Sequence, residues 1–161
     1  MDNSRSMDGP RYEDDFFAWT QDQAAKLRAR AHNEIDWENA AEELESVGTS
    51  ERGEIRSRLG QLVLHLLKWE HQPERRGHSW QSSISEQRVH IQGKIEDSPS
   101  LKSHPAASLE WAWNWARRRA ARETGLPLET FPETPSYSVE DILSDDFMPG
   151  KPWKPEELSR D

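Results

Sequence analysis

The chain has 161 residues, a formal net charge of −9 and no cysteine. The absence of cysteine excludes a disulfide framework, a thiolate metal site and a cysteine nucleophile. No run reaches the roughly 20 apolar residues of a membrane span, and the start MDNSRSMDGP lacks the apolar stretch of a signal peptide. We therefore expect a cytoplasmic protein with no membrane partner, no metal and no cofactor.

Charge is distributed unevenly along the chain. Residues 1–50 carry a net charge of −7, residues 51–125 carry +4 and residues 126–161 carry −6. The simplest interpretation is that the acidic ends fold against the basic middle. A nucleic-acid partner is the weaker interpretation, because long-range attraction follows the overall field of the protein. Aliphatic residues are few, and eight tryptophans supply much of the apolar area, so a thin core leaves room for self-association.

Apolar residues spaced at three and four predict an all-α fold, a single helical bundle over residues 12–149. Residues 1–11 are expected to be disordered, and residues 150–161 to form a loose tail after a Pro-rich stretch that wraps the bundle. Five main helices and a short sixth are predicted: Glu13–Ala31, Trp37–Val47, a third from the Ser50 cap to His71 or Gln72, Trp80–Glu96, Pro105–Arg122, and one turn after the Ser138 cap.

The second and third helices are predicted to form a hairpin. Asp36 is typical of an N-cap, Gly48 of the glycine that follows a helix, and Ser50 of the next N-cap. Such a turn would place Arg58 near Glu42 and Glu43. The second helix is expected to bury one face: Trp37, Ala40, Ala41, Leu44 and Val47.

The third helix holds the densest apolar run and has two faces. Its core face comprises Ile55, Leu59, Leu62, Val63, Leu66, Leu67 and Trp69. Opposite lies a polar line, defined as Glu54, Arg58, Gln61, His65, Lys68 and Gln72. The pattern leaves open whether the polar line is a solvated face or the wall of a groove.

Gln87 lies within the apolar stripe of the fourth helix, where an amide without a partner would cost roughly 1–3 kcal/mol. If the third and fourth helices form an antiparallel hairpin, His65 and Lys68 are the expected partners of Gln87. A structural role for His65 is the simplest interpretation, with a role in binding or proton transfer as the alternative. Its neighbours His71 and His78 lack metal-ligand spacing.

Two basic groups of residues are candidates for binding. Arg75 and Arg76 precede the start of the fourth helix at Trp80, where guanidinium groups and free helix amides favour an anion. The alternative is that both pair with the acidic ends of the same chain.

A second group lies on one face of the fifth helix, the Trp–Arg face, defined as Trp111, Trp115, Arg118 and Arg122. Tryptophan and arginine are enriched at protein interfaces. The same stripe is also compatible with cover by the Pro-rich segment or with stacking on single-stranded bases.

Several runs, taken in order, resemble a bacterial family of domains of unknown function, number twenty-nine. They are YEDDFFAWTQDQAAKLR, IDWENAAEELESVG, RSRLGQLVLHLLKWEHQPERRGHSW, EQR at Glu86–Arg88, EDSPSL, ETGLPLETFPE and DILSDDFMP, and together they cover roughly residues 12–149. The resemblance implies a helical bacterial protein and no particular activity.

The residues favour a helical module that binds a protein partner or a second copy of itself. The alternative is a phosphoryl-transfer or nuclease-type enzyme with His65 as base, Lys68 and Arg75 or Arg76 holding an anion, and Glu43 in support. The sequence lacks a nucleophile motif, a glycine-rich loop and a carboxylate cluster, which weighs against the enzyme.

Overall fold

The computed structural model describes residues 9–160, so that most of the segment predicted to be disordered, residues 1–11, lies outside this range. The described part consists of α-helices joined by loops and short 3₁₀ turns, without a β-strand. The helices are α1 (Phe16–Arg28), α2 (Trp37–His71), α3 (His78–Asp97), α4 (His104–Thr124) and α5 (Val139–Leu143). The predicted all-α fold class is confirmed.

The predicted hairpin between the second and third helices is wrong, because these residues form one helix of 35 residues, α2. Gly48 is not among the glycines with positive φ that the position after a helix favours. A glycine inside a helix costs only about 1 kcal/mol relative to alanine. Continuous backbone hydrogen bonding offsets that cost, so the described chain has four long helices and one short helix.

The chain separates into two compact units between Ser50 and Glu51, a division that falls within α2 and within the range 12–149 assigned to one domain from the sequence. The first unit has a small core around Trp19. The indole of Trp19 donates to Asp36 at 3.2 Å, and the side chain of Gln23 accepts from the backbone of Asp36 at 2.8 Å. Ile35, which immediately precedes Asp36 in the sequence, is also buried.

The apolar face predicted to be buried in the first half of α2 is instead largely exposed. The exposed fraction is 55% for Trp37, 74% for Leu44 and 60% for Val47. Ala41 is also exposed, and Ala40 is half-buried. The prediction depended on a helical hairpin that would cover this face, and that hairpin does not form.

The second unit has a core built from the rest of α2 together with α3, α4 and the C-terminal segment. Leu62 and Leu66 of α2 are fully buried, as the apolar periodicity predicts. Their core neighbours include Ile84 and Ile91 of α3, Ala112, Trp113, Ala116 and Ala120 of α4, and Phe131 and Ile142. The alanines let α4 approach the core closely, because a short side chain keeps two helices near each other.

The segment after α4 follows the surface of the core and is held by side chains that donate to its backbone. Trp113 Nε1 donates to the carbonyl of Pro132 at 2.7 Å, and Arg117 Nε donates to that of Phe131 at 2.8 Å. In the stretch predicted as a loose tail, Leu158 is buried and the Ser159 amide donates to the carbonyl of Arg76. Side chains of the core therefore supply hydrogen-bond partners to backbone carbonyls of this irregular segment, which has little regular helix of its own.

Candidate functional site

The polar line of α2 lies against neighbouring helices, since each of its members is buried or half-buried. At one end, Lys94 of α3 lies 2.8 Å from Glu51 and 2.8 Å from Glu54. The hydrogen bond from Lys94 lowers the pKa of Glu54, and the bonds to Glu51 and Glu54 raise the pKa of Lys94. This end of the polar line is an ion-pair network that joins α2 to α3.

The amide of Gln87 finds a partner in the polar line, but the partner is Arg58. Arg58 Nη1 donates to Gln87 Oε1 at 3.2 Å, and Arg58 Nε donates to Glu54 at 3.1 Å. The expected partners were His65 and Lys68, chosen from the helical register alone. Arg58 precedes His65 by seven residues, or about two helical turns, so the register assumed for the two helices was wrong. The same contacts replace the pairing of Arg58 with Glu42 or Glu43 that the absent hairpin implied.

His65 is half-buried, and its Nδ1 lies 2.8 Å from the carbonyl of Gln61 one turn earlier. Burial lowers the pKa of His65, and the charge of Lys68 lowers it further, against the opposing effects of the Gln61 bond and Glu123. The ring is therefore neutral near pH 7, with the proton on Nδ1 donated to Gln61. A backbone carbonyl orients this imidazole, whereas catalytic imidazoles are often oriented by a carboxylate.

Lys68 is also engaged within the second unit. Its Nζ lies 4.9 Å from the ring centroid of Trp80, in cation–π geometry, and 3.7 Å from a carboxylate oxygen of Glu123 in α4. Trp80, predicted as part of an anion site, therefore covers a cation. These contacts connect α2 with α3 and α4.

Glu43, the acid assigned to support His65, belongs to the first unit. It accepts a hydrogen bond from the hydroxyl of Tyr12. That bond raises the pKa of Tyr12 to about 12, with smaller contributions from burial and neighbouring carboxylates. Tyr12 therefore remains a phenol that donates to Glu43 at neutral pH.

Arg75 and Arg76, predicted together as anion-binding residues, differ in their surroundings. Arg75 is exposed at the end of a 3₁₀ turn, whereas Arg76 is only 4% exposed. Arg76 donates to the carbonyls of Trp69 at 2.7 Å and Lys151 at 3.0 Å. Gly150, at φ +88°, passes so close that an added Cβ would lie 2.9 Å from the Arg76 guanidinium. Arg76 thus fixes the C-terminal segment and is not presented to an external anion.

A second buried arginine, Arg88 of α3, has a similar role that the sequence analysis did not assign. It donates to the carbonyls of Ile142 at 2.8 Å and Phe147 at 2.7 Å, with a longer contact of 3.5 Å to Asp145. Burial lowers the pKa of Arg88, while Asp145 and Asp146 oppose the shift. Its position next to the apolar stripe of α3 was the available signal, because an arginine there must find acceptors.

The Trp–Arg face lies on α4. The rings of Trp111 and Trp115 stack at a centroid separation of 6.4 Å and an interplanar angle of 12°. Trp115 is half-buried beside Gly60 of α2, where an added Cβ would lie 3.0 Å from the indole. Trp111 remains 41% exposed, and the guanidinium of Arg56 lies 4.3 Å from its ring centroid. One tryptophan therefore anchors the face while the other presents it to solvent.

The same face lines a cleft of about 390 Å³. Its walls are Trp111, Asn114, Trp115, Arg118, Arg119 and Arg122. Arg119 lies 3.6 Å from Glu123, while Arg118 and Arg122 are exposed and have no acidic partner within residues 9–160. Sequence periodicity found four of these residues, but Asn114, Arg119 and the packing of Arg56 required the structure.

The described residues contain no cluster of three or more histidine, aspartate or glutamate side chains arranged to hold a metal ion. Among the same residues, no helix is both long and apolar enough to cross a lipid bilayer. The Trp–Arg face is therefore the candidate binding site, since its exposed arginines and Trp111 can contact a ligand, whereas charged side chains of the polar line already bind other groups of the chain.

These features define a class, an all-α protein with a partly buried framework of ion pairs and hydrogen bonds and an exposed aromatic–basic cleft. The model of the family called Domain of unknown function DUF29 matches residues 11–148, and the chain belongs to that family. This match confirms the resemblance identified from the ordered sequence runs. No curated protein and no solved structure matches the chain.

Proposed function

We propose that the chain is a protein-interaction module whose Trp–Arg face binds an acidic segment of a protein. The observation that carries the proposal is the state of Arg118 and Arg122, which are exposed beside the stacked indoles and have no acidic partner in the described chain. A partner that supplies carboxylates would gain charge-assisted hydrogen bonds there.

The aromatic part of the face favours a partner with an apolar edge. Trp111 presents 41% of its surface, next to a cleft that can accept one or two side chains. Tryptophan and arginine together dominate the binding energy of many protein interfaces. An amphipathic acidic helix would satisfy both the indole and the guanidinium groups.

Protein is favoured over nucleic acid as the partner. The chain has a net charge of −9, so the field around it repels a polyanion although the cleft itself is basic. A short acidic segment carries less charge and is repelled less. The enzymatic alternative is the weaker interpretation, because Lys68 of the polar line and Arg76 beyond it both bind groups of the chain.

Fluorescence anisotropy tests the proposal. The probes are a fluorescein-labelled 16-residue peptide, with leucine on one helical face and glutamate elsewhere, and labelled oligothymidylate of equal charge. We expect saturable binding of the peptide, weakened at least about tenfold in Arg118→Glu/Arg122→Glu. The matched control is Lys102→Glu/Lys154→Glu, which makes the same charge change at exposed positions away from the cleft.

Two results would contradict the proposal. One is peptide affinity that falls equally in the cleft variant and the control, which would indicate a general charge effect. The other is tighter binding of oligothymidylate than of the peptide, which would assign the face to single-stranded nucleic acid.

A further inference from the structure

The first half of α2 carries an exposed surface of opposite character to the Trp–Arg face. We name it the acidic ridge. It combines exposed apolar residues with carboxylates along one edge: Trp37, Ala41, Leu44 and Val47 with Glu38, Glu42 and Glu45. At 100° per residue the four apolar residues share one face of the helix, and the three acids follow each other on its flank.

The carboxylates of the acidic ridge have no basic partner in the part of the chain that the structure describes. Glu38, Glu42 and Glu45 are exposed, and no lysine, arginine or histidine within residues 9–160 forms an ion pair with them. By contrast, Glu43 on the other flank accepts from Tyr12. The ridge is therefore a ready-made acidic, amphipathic helix surface with an exposed leucine at its centre.

We infer that the acidic ridge of a second copy of this chain is the segment that occupies the Trp–Arg face. This inference rests on the proposed function and names its partner. The two surfaces are complementary in charge, and each includes exposed apolar side chains, Leu44 and Val47 on one and Trp111 on the other. Both surfaces have charges that find no partner of opposite sign among residues 9–160, so an association that joins the two surfaces satisfies both.

The spacing of the charges also matches. Glu38 and Glu42 are four residues apart on α2, and Arg118 and Arg122 are four residues apart on α4. Each pair spans about 6 Å along its helix. Two helices lying side by side can therefore form two carboxylate–guanidinium contacts in one register, with Leu44 directed toward the indoles.

Charge reversal on each surface of the full-length chain tests the inference by sedimentation velocity. The ridge variant is Glu38→Lys/Glu42→Lys, which reverses the two charges whose spacing matches that of Arg118 and Arg122. The face variant is Arg118→Glu/Arg122→Glu. We expect the parent to associate with increasing concentration, and each variant alone to dissociate at least about tenfold more readily.

An equimolar mixture of the two variants is the decisive sample. In the mixture, the lysines of one variant meet the glutamates introduced on the other, while the unchanged ridge of the second meets the unchanged face of the first. We therefore expect association to be restored in the mixture. The matched control is Glu96→Lys/Glu129→Lys, two exposed acids outside the ridge, which should associate as the parent does.

Three outcomes would overturn the inference. The first is a parent that sediments as a monomer at every concentration, and the second is a mixture that remains dissociated. The third is weakened association in the face variant but not in the ridge variant, because another part of the second copy would then fill the cleft. None of these outcomes affects peptide binding by anisotropy, so the proposed function is judged separately.

Discussion

Two pairs of arginines in the second unit show how burial changes the role of one residue type. Arg76 and Arg88 are 4% and 2% exposed, and their guanidinium groups donate to backbone carbonyls that include Lys151 and Phe147 in the segment after α5. Arg118 and Arg122 are exposed on α4 without an acidic partner in the described chain. The first pair is committed to the fold, and the second pair remains available to a ligand.

The difference follows from where the acceptors lie. A buried guanidinium must be satisfied inside the protein, because losing water without gaining partners is costly. The irregular segment after α5 provides such acceptors, since its carbonyls have no helical partners of their own. On α4 most carbonyls are used within the helix, and Arg118 and Arg122 have no acidic partner among residues 9–160. Substitutions in the two pairs should therefore separate stability from binding.

The largest expected effect is the loss of stability in Arg88→Leu. This change leaves the carbonyls of Ile142 and Phe147 without their donor, at roughly 1–3 kcal/mol for each buried group. We expect chemical denaturation to show a loss of about 2–5 kcal/mol, similar to that of the core substitution Leu66→Ala. Arg88→Lys keeps the charge but donates from a single nitrogen in place of the guanidinium fork. Its stability should lie between that of the parent and that of Arg88→Leu.

A loss below about 1 kcal/mol in Arg88→Leu, with Leu66→Ala behaving as expected, would contradict this assignment. It would mean that the C-terminal segment finds other donors or water when the guanidinium is removed.

A much smaller effect on stability is expected for Arg118→Glu/Arg122→Glu. Exposed substitutions away from structural contacts usually change the free energy of unfolding by no more than about 0.5 kcal/mol. The same variant should lose most of its peptide binding, so that binding and stability change independently. A destabilisation comparable with that of Arg88→Leu would show that these arginines support the fold, and would remove the contrast between the two pairs.

The smallest effect concerns the pH dependence contributed by His65. Burial lowers the pKa of His65, so the unfolded chain binds a proton more readily than the folded chain. The contribution of His65 to stability is therefore fully present above about pH 6.5 and declines as the pH falls below this value. Replacement by glutamine removes the titrating group.

We expect the free energy of unfolding of His65→Gln to fall less steeply than that of the parent between about pH 6.5 and pH 5. Denaturation curves measured across this range provide the check, with His90→Gln, an exposed histidine of α3, as the control. Parallel pH profiles for the parent and His65→Gln would contradict the lowered pKa.

The sequence predicted the helices best where two independent signals agreed. Apolar periodicity and the proline after Gln72 together predicted a helix end at His71 or Gln72, and α2 ends at His71; Gly125, predicted to close the fifth helix, follows α4 with φ +73°. The Ser138 cap was also found, since its side chain accepts from the amide of Asp141. Such signals are local, so the residues that produce them are close together in the chain.

The turn at Gly48 shows where a local signal fails. Glycine followed by a possible N-cap is typical of a helix end, but the same residues are tolerated inside a helix at about 1 kcal/mol. The balance is decided by the packing and hydrogen bonding of the whole helix. From that one error followed the expected burial of Leu44 and the expected pairing of Arg58 with Glu43.

By itself, the sequence determined that this chain is all-α, that Leu62 and Leu66 lie in its core, and that two tryptophans and two arginines share one face of α4. Each of these results depends on helical periodicity, which is a property of neighbouring residues. Only the tertiary structure decided which polar and charged side chains found partners: Arg88 binds distant carbonyls, Gln87 binds Arg58, and Arg118 binds no acidic group in the described chain. The physical reason is that desolvation and hydrogen bonding depend on groups brought together from distant parts of the chain, which periodicity does not specify.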